Sequence, residues 1–309
     1  MSQARATFWQ RVGAIRTAIA DFSLIDLPLL PSNVSRNASV RVIRSGLAVQ
    51  CFNILEDFVK SRTAEALSSV SNSGVQFGWL PEALQEAATL GAVRAIGVQA
   101  KRRPRTDRVL YAQTYGARIA STQTGTMQLA DIGFFHTGST IGADEVRDAL
   151  AAFGVRSPWN QLSGLLSRIG LSALPAENVF STLARRRHAA AHDPNTTVSE
   201  NDLAQSTVDA TGVGLGFDLL LSRATMSLSQ LGAPVTNHSP LVSDHKNIPL
   251  RFIRARGGRY CEIKEAGRRS VALHDDWQGL LPAAKARAAA NAEALVVLDR
   301  MTPAVSWYY

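Results

Sequence analysis

The sequence predicts a mainly α-helical domain that is followed by a small β-rich (α+β) module. Hydrophobic residues make up 46% of the chain and charged residues 19%, which is enough apolar surface for a folded core. Apolar residues recur at helical spacing up to Leu231 and then alternate in the manner of strands. Proline, asparagine, serine and histidine collect at 232–249. The predicted domains are therefore 1–235 and 236–309.

The first domain contains seven stretches with the apolar spacing of an amphipathic helix. They are 8–22, 39–68, 81–96, 144–153, 159–169, 175–191 and 199–231. Pro28 and Pro31 separate the first two helices. Ser199 and Asp202 form a capping box at the start of the last one. The segment 121–141 is rich in glycine and threonine, and we predict that it is irregular.

Beyond the boundary the period of the apolar residues changes. Strands are predicted at 250–256, 259–264, 270–274 and 294–298, with a helix at 282–291. Gly257 and Gly258 fit a hairpin turn between the first two strands. Arginines, Arg251 among them, recur along the strands. The aromatic end, 307–309, is expected to pack on this module.

An excess of 33 Lys+Arg over 25 Asp+Glu gives a net charge of +8, which favours an anionic partner such as nucleic acid. Cys51 and Cys261 are too few for a disulfide framework or a cysteine-rich zinc site, and both lie in apolar patterns typical of buried thiols. Residues 1–15 lack the apolar block of a signal peptide, and no run reaches the roughly 18 apolar residues of a membrane helix. We expect a soluble, cytoplasmic protein with no membrane partner.

The run 185–194 contains the residues of this sequence that are best suited to catalysis. His188 and His192 are four residues apart and therefore lie on one side of a helix, which Pro194 ends. Imidazole groups titrate near neutral pH, and an arginine beside them can hold a phosphate. Breaking a phosphodiester bond requires both functions. We therefore expect the function of the chain to lie in this run.

Four features of the sequence also have plainer interpretations. Arginine and histidine are favourable at any helix C-terminus because the helix dipole attracts cations there. The loop residues Lys101, Arg102 and Arg103 are predicted RNA contacts, although most basic runs are solvated surface. The glycines at 212–216 lie in a helical context without a preceding strand, which favours close helix packing over a nucleotide loop. Glu56 and Lys60 are one helical turn apart and are interpreted as a surface ion pair.

The segment 187–192 resembles the R-x4-H motif of the HEPN superfamily. The apolar approach to the motif through Phe180 and Leu183 and the capped helix after it fit as well. The helix at 40–61 is similar to the early HEPN helix that packs against the motif helix. The resemblance is nearest to the RiboL-PSP-HEPN-like group and covers roughly 35–231. The chain departs from a compact HEPN bundle by a long insertion at about 97–175.

The resemblance implies a metal-independent endoribonuclease that needs no cofactor. The 2′-hydroxyl of RNA is an internal nucleophile, so the products are a 2′,3′-cyclic phosphate and a 5′-hydroxyl. The resemblance implies that Arg187, His192 and His188 are catalytic: His192 as acid or base, Arg187 as the stabiliser of charge on the phosphorus centre, and His188 in an assisting role. Arg186 and Arg185 are then expected to contact the RNA. Family analogy also implies a homodimer with a composite active site, a toxin or anti-phage role, and a cognate inhibitor or sensor protein.

Two alternatives to this function stay open. The dipeptide His192-Asp193, with His136 and Asp209, is typical of metal-dependent HD-type phosphohydrolases, in which several such residues converge on a metal. Alternatively, the chain is a non-catalytic HEPN-like module that binds nucleic acid or a partner protein. Metal dependence tests the first alternative. Binding without cleavage, unaffected by loss of His192, indicates the second.

Overall fold

The computed structural model describes residues 2–21, 24–135, 140–171, 174–193, 195–231, 244–267, 269–299 and 306–309. Within these residues the chain forms ten α-helices and five strands, so it is mainly helical with a small sheet near its C-terminus. The helices are α1 (Gln3–Asp21), α2 (Val34–Ser71), α3 (Glu82–Glu86), α4 (Ala92–Lys101), α5 (Arg108–Ser121), α6 (Ala143–Ala152), α7 (Pro158–Ile169), α8 (Ala176–His192), α9 (Glu200–Ser229) and α10 (Trp277–Ala290).

Two long helices, α2 and α9, form the centre of the helical part. They pack along each other, and α1 and α8 pack against both. The middle of α9 is buried on all sides, as expected of a helix surrounded by others. A Cβ on Gly214 would lie 3.1 Å from the Phe8 ring, and one on Gly216 would lie 3.0 Å from Leu162 Cγ. The prediction that these glycines allow close helix packing is confirmed.

Most predicted helices are present, with their ends shifted by a few residues. One half of the capping box predicted at the start of α9 is confirmed, because Ser199 Oγ accepts a hydrogen bond from the Asp202 amide at 3.0 Å. The Asp202 carboxylate accepts from the Ser199 hydroxyl at 2.6 Å and not from the Ser199 amide. A π-helical turn, Ala87–Gly91, interrupts the helix predicted at 81–96. Helix α5 was not predicted, since its apolar residues fall on different faces. Leu110 is exposed, whereas Tyr111 beside it is buried.

The sheet is mixed and has the order β3-β2-β1-β4-β5. Its strands are β1 (Leu250–Arg256), β2 (Arg259–Lys264), β3 (Ala272–His274), β4 (Ala294–Leu298) and β5 (Ser306–Tyr308). The hairpin of β1 and β2 is confirmed, and β4 pairs parallel with β1 after the crossover through α10. The prediction that β4 is the last strand is wrong, because β5 pairs antiparallel with it. Helix α10 begins at Trp277 and not at the predicted residue 282, and the Asp276 side chain caps its N-terminus.

One hydrophobic core extends from the helices into the sheet. Phe252 of β1, Val296 of β4 and Trp307 of β5 belong to the same buried cluster as the side chains of α1, α2 and α9. The Trp307 ring lies 4.6 Å from the Trp9 ring and 6.0 Å from the Phe8 ring, measured between centroids. The aromatic C-terminus therefore packs between the sheet and the helices. The division into folding units 1–235 and 236–309 stays a prediction.

A buried ion cluster ties the same elements together. The Asp218 carboxylate of α9 accepts hydrogen bonds from Arg5 Nε of α1, Arg62 Nε of α2 and Trp307 Nε1 of β5, each at 2.6 Å. Asp218 is fully buried, and both arginine side chains are nearly so. A buried charge needs such partners, since its desolvation is costly. Four elements that are distant in sequence therefore meet at one carboxylate.

Candidate active site at the end of helix α8

The first half of α8 is fixed in the core and the second half extends beyond it. The Ala176 amide donates to Ser163 Oγ of α7 at 2.9 Å, which satisfies a free donor at the helix start. Phe180 packs between Phe52 and Trp159, with ring centroids 5.5 and 5.6 Å away. Leu183 is the last residue of α8 that is fully buried. The predicted catalytic residues therefore lie on a rigid helix that emerges from the core.

His188 and His192 form an exposed pair on the last turns of α8. Their ring centroids are 4.7 Å apart, with an angle of 51° between the planes. The helix ends at His192, close to its predicted end; Pro194 lies outside the described residues. Asp193 then accepts from the Asn195 amide at 2.9 Å and from Thr196 Oγ1 at 2.8 Å. These bonds, the one from the Asn195 amide first, lower the pKa of Asp193, so this carboxylate is committed to the turn.

The three consecutive arginines of α8 differ in their partners. Arg186 Nη2 donates to Asp202 Oδ1 at 2.8 Å, and its Nη1 lies 3.6 Å from Asp209 Oδ2. Arg185 is exposed and donates to the hydroxyl of Thr182 in the preceding turn. Arg187 is half-buried, and its Nε is shielded from solvent. Among the described residues, Arg187 has no carboxylate partner and its Nε has no hydrogen-bond acceptor.

Polar side chains of α1, α2 and α9 form a largely buried layer inside the fold, and Arg186 of α8 contacts it. Burial raises the pKa of Asp209, and Arg186 opposes that shift through its charge. Cys51 of α2 donates to the Ser206 carbonyl at 3.2 Å, and burial raises the pKa of its thiol to about 12. The predicted buried thiol is therefore confirmed, and it is protonated at neutral pH. Arg16 of α1 reaches the same layer, where its Nη2 donates to Thr211 Oγ1 at 3.0 Å.

The small residues inside the motif serve packing on one side. Ala190 lies against a separate cluster that includes Val40 and Ala48 of α2 and Leu203 of α9. Ala191, on the other side, is exposed. The motif therefore lies beside the N-terminal half of α2, which is the helix that the sequence predicted as its neighbour.

The structure does not bring the basic loop to the motif. Lys101, Arg102 and Arg103 lie at the tip of the hairpin of α4 and α5, where Arg103 stacks over the Tyr111 ring at 4.1 Å. The base of this hairpin lies at the C-terminal end of α2, because the Leu129 amide donates to Ser71 Oγ. Ala48 and Ser71 are about 35 Å apart along the helix axis.

Two further sets of charged residues form ion pairs within the fold. Lys60 Nζ and Glu56 Oε1 form the predicted ion pair at 2.5 Å. Arg251 of β1 is buried and paired with Glu262 and Glu293, so it does not contribute to a basic surface. Asp209, which sequence reasoning assigned to the metal-dependent alternative, lies 3.6 Å from Arg186 Nη1 instead. Arg16, which sequence reasoning did not single out, bonds to Thr211 of α9. Both positions depend on contacts between distant helices, which no local pattern indicates.

The comparisons with known proteins find no match. No protein-family model, curated protein or solved structure corresponds to the chain. The likeness to the HEPN superfamily therefore rests on the motif and its helical surroundings.

In the part of the chain that the structure describes, no three residues of the types His, Cys, Asp and Glu come together in a group that could hold a metal ion. His136, one residue of the metal-dependent alternative, lies outside the described residues. Among the described helices, none has an apolar stretch long enough to cross a bilayer.

Proposed function

We propose that the chain is a metal-independent endoribonuclease whose active site is the exposed end of α8. The observation that carries this proposal is the state of Arg187. It is a half-buried cation with no carboxylate partner among the residues that the structure describes, and it directly precedes His188 of the exposed imidazole pair. An incompletely solvated charge is stabilised by an anion, and a phosphodiester supplies one. Its neighbour Arg186 is already neutralised by Asp202 and Asp209.

The proposed reaction begins at the RNA 2′-hydroxyl. One imidazole accepts its proton while the 2′-oxygen forms a bond to the adjacent phosphorus. The bond from phosphorus to the 5′-oxygen breaks, and that oxygen takes a proton from an imidazolium. The products are a 2′,3′-cyclic phosphate and a 5′-hydroxyl. His192 is the main acid or base, His188 assists it from 4.7 Å away, and Arg187 stabilises the charge on the phosphoryl oxygens.

In this mechanism Arg186 is a positioning residue. It links α8 to the first turns of α9 through Asp202, which also belongs to the helix cap, and through Asp209. The orientation of the last turns of α8 therefore depends on this link. Arg185, Lys101, Arg102 and Arg103 are kept as candidate RNA contacts away from the reacting phosphate.

Arg187 gives the sharpest test of the proposed site. We expect Arg187→Gln to slow RNA cleavage in EDTA by about 100-fold or more, because it removes the charge that stabilises the phosphoryl oxygens. Arg94→Gln is the matched control, since it makes the same charge change at an exposed position of α4 outside the proposed site. We expect that control to stay within a few fold of the parent rate. Equal losses in both variants would contradict a specific role for Arg187.

A homodimer is part of the proposal, as is the role of a toxin or anti-phage effector held by an inhibitor or sensor protein. Exposed apolar residues cluster along the N-terminal half of α2 and the segment before it, on the part of the fold that adjoins the motif. They are Ile25, Leu27, Leu29, Leu30, Val34, Val42 and Ile43. Such clusters are typical of protein interfaces. A second copy bound there would bring its own α8 towards the first.

The α2 surface is tested by placing a charge on it. Val42 is 72% exposed, so Val42→Lys disturbs no core. In sedimentation we expect the parent to have the mass of a dimer, twice 33.3 kDa, and Val42→Lys to have the mass of a monomer. We also expect Val42→Lys to cleave RNA at least about tenfold more slowly than the parent. Val93→Lys is the control, because Val93 is an exposed valine of α4. A parent that is fully active as a monomer would exclude a composite site.

A further inference from the structure

The hairpin of α4 and α5 carries most of the positive charge of the chain. Residues 92–121 contain seven basic side chains and one acidic side chain, so they account for +6 of the net charge of +8. Helix α5 packs mainly on α4, which leaves much of the hairpin surface in solvent. Arg94 lies near the start of α4, at the far end from the tip. The basic residues of the tip are all exposed, and they are Lys101, Arg102, Arg103 and Arg105.

The tip of this hairpin is fixed by its own side chains. Arg108 Nε donates to the Arg103 carbonyl at 3.1 Å, and Arg108 Nη2 donates to the Lys101 carbonyl at 3.2 Å. Within the described residues, Arg118 has a carboxylate partner in Asp131, whereas the exposed cations of the tip have none. Like charges that are held close together repel one another, and a bound polyanion removes that cost.

The hairpin presents no open aromatic face to a nucleic-acid base. The only aromatic residues in its sequence, 92–121, are Tyr111 and Tyr115. Tyr111 is buried, and the Arg103 guanidinium covers its ring at 4.1 Å from the centroid. The Arg118 guanidinium lies over the Tyr115 ring at 5.0 Å. Proteins that hold single strands stack the bases on exposed aromatic side chains. This surface is therefore suited to phosphates and not to bases.

We propose that the hairpin of α4 and α5 binds the phosphate backbone of double-helical RNA. The choice of RNA rests on the proposed function, to which the inference adds a class of substrate, an RNA with a base-paired segment. A double helix carries about twice the charge per unit length of one of its strands. Double-stranded RNA is also recognised mainly through its shape and backbone. Lys101, Arg102 and Arg105 contact the phosphates, away from the motif of α8.

An RNA that cannot be cut tests this surface separately from the proposed cleavage. The probe is a duplex of about 20 base pairs, somewhat longer than the stretch that a double-stranded-RNA-binding domain covers. Its riboses carry 2′-O-methyl groups, so the phosphates remain and the nucleophilic hydroxyl is absent. We expect the full chain to bind this duplex at least about tenfold more tightly than either of its single strands, as measured by fluorescence anisotropy.

A triple variant tests whether the tip supplies the contacts. Lys101→Gln, Arg102→Gln and Arg105→Gln together remove three exposed charges and leave the hydrogen bonds of Arg108 in place. We expect at least about tenfold weaker duplex binding. The slope of log K against log salt should also become smaller by about two to three, because each lost phosphate contact lowers it by about one.

The matched control is a second triple variant outside the hairpin. It combines Arg156→Gln, Lys246→Gln and Arg256→Gln, which make the same charge change at exposed positions. We expect duplex binding by this control to stay within about threefold of the parent, since net charge alone supplies little of a local contact. Leu110→Gln is a further control, because Leu110 is an apolar residue of α5 that is 68% exposed.

Three results would overturn the proposed RNA surface. They are duplex binding no tighter than single-strand binding, equal losses in the two triple variants, and a loss in Leu110→Gln as large as that in the tip variant. The last result would indicate an apolar contact with a protein partner instead. Duplex binding that depends on the tip, in a protein that cuts no RNA, would support this surface and contradict the proposed cleavage.

Discussion

His192→Ala is expected to reduce RNA cleavage by a factor of about 100 to 10,000, which is the usual contribution of a positioned acid or base. The side chain is exposed at the end of α8 and makes its ring contact with His188 alone among the described aromatic rings. Its removal therefore leaves the core of α8 intact. We expect unchanged thermal unfolding together with the loss of activity. The measurement is the rate of cleavage of a mixed RNA pool in EDTA.

His274→Ala is the control for this prediction. His274 is an exposed histidine on β3, in the C-terminal module. A cleavage rate close to that of the parent would show that loss of any surface imidazole is not enough. If His192→Ala cut RNA as fast as the parent, His192 would not transfer a proton. If neither parent nor variant cut RNA but both bound it, the non-catalytic alternative would gain support.

Asp218→Asn is expected to cost about 3–5 kcal/mol of the free energy of unfolding, because it removes the carboxylate that is bonded to two buried arginines. Among the described carboxylates, Arg62 then keeps only Glu65, at 3.8 Å. Arg5 and Arg62 are both bonded to this carboxylate and have almost no contact with water. A loss of this size is a large share of the about 5–15 kcal/mol that stabilises a typical domain. Urea unfolding of parent and variant measures it directly.

Asp57→Asn is the matched control. Asp57 pairs with Arg11 at the same distance of 2.6 Å, but both side chains are about half exposed. Exposed ion pairs contribute about 0–1 kcal/mol, so this variant should unfold almost as the parent does. Similar unfolding free energies for Asp218→Asn and the parent would contradict the structural role of the buried cluster.

The same cluster sets a dependence of stability on pH. Burial alone would raise the pKa of Asp218, but the charges of Arg5 and Arg62 outweigh it, and the net effect is a lowered pKa. A lowered pKa means that the stabilisation is fully present above the unfolded value of about 3.9 and is lost as the pH falls through the folded value. The difference between parent and Asp218→Asn should therefore shrink in acid.

The elements of the fold that local patterns determine were predictable from the sequence. The ends of α8, the cap at Ser199 and the hairpin of β1 and β2 each depend on residues close together in the chain. Helix α5 and strand β5 were not found. The first has its apolar residues on several faces, and the second is only three residues long. Short strands carry too few residues for a period to be detected.

The site was predictable in part, for the same reason. The spacing of His188 and His192 gave their common face, and the structure shows the two rings side by side. The different states of Arg186 and Arg187 could not be inferred, because they depend on where Asp202 and Asp209 of α9 lie. The Asp218 cluster joins residues more than 150 positions apart. Contacts over such separations leave no local signal.

The most direct measurement of the proposed function is the chemistry of the ends that the parent protein leaves on RNA in EDTA. The account predicts a 2′,3′-cyclic phosphate on one fragment and a 5′-hydroxyl on the other. It also predicts that a single 2′-deoxy substitution at the cut site stops the reaction, since the nucleophile is then absent. Cleavage that requires a divalent metal, or that leaves a 5′-phosphate, would contradict it.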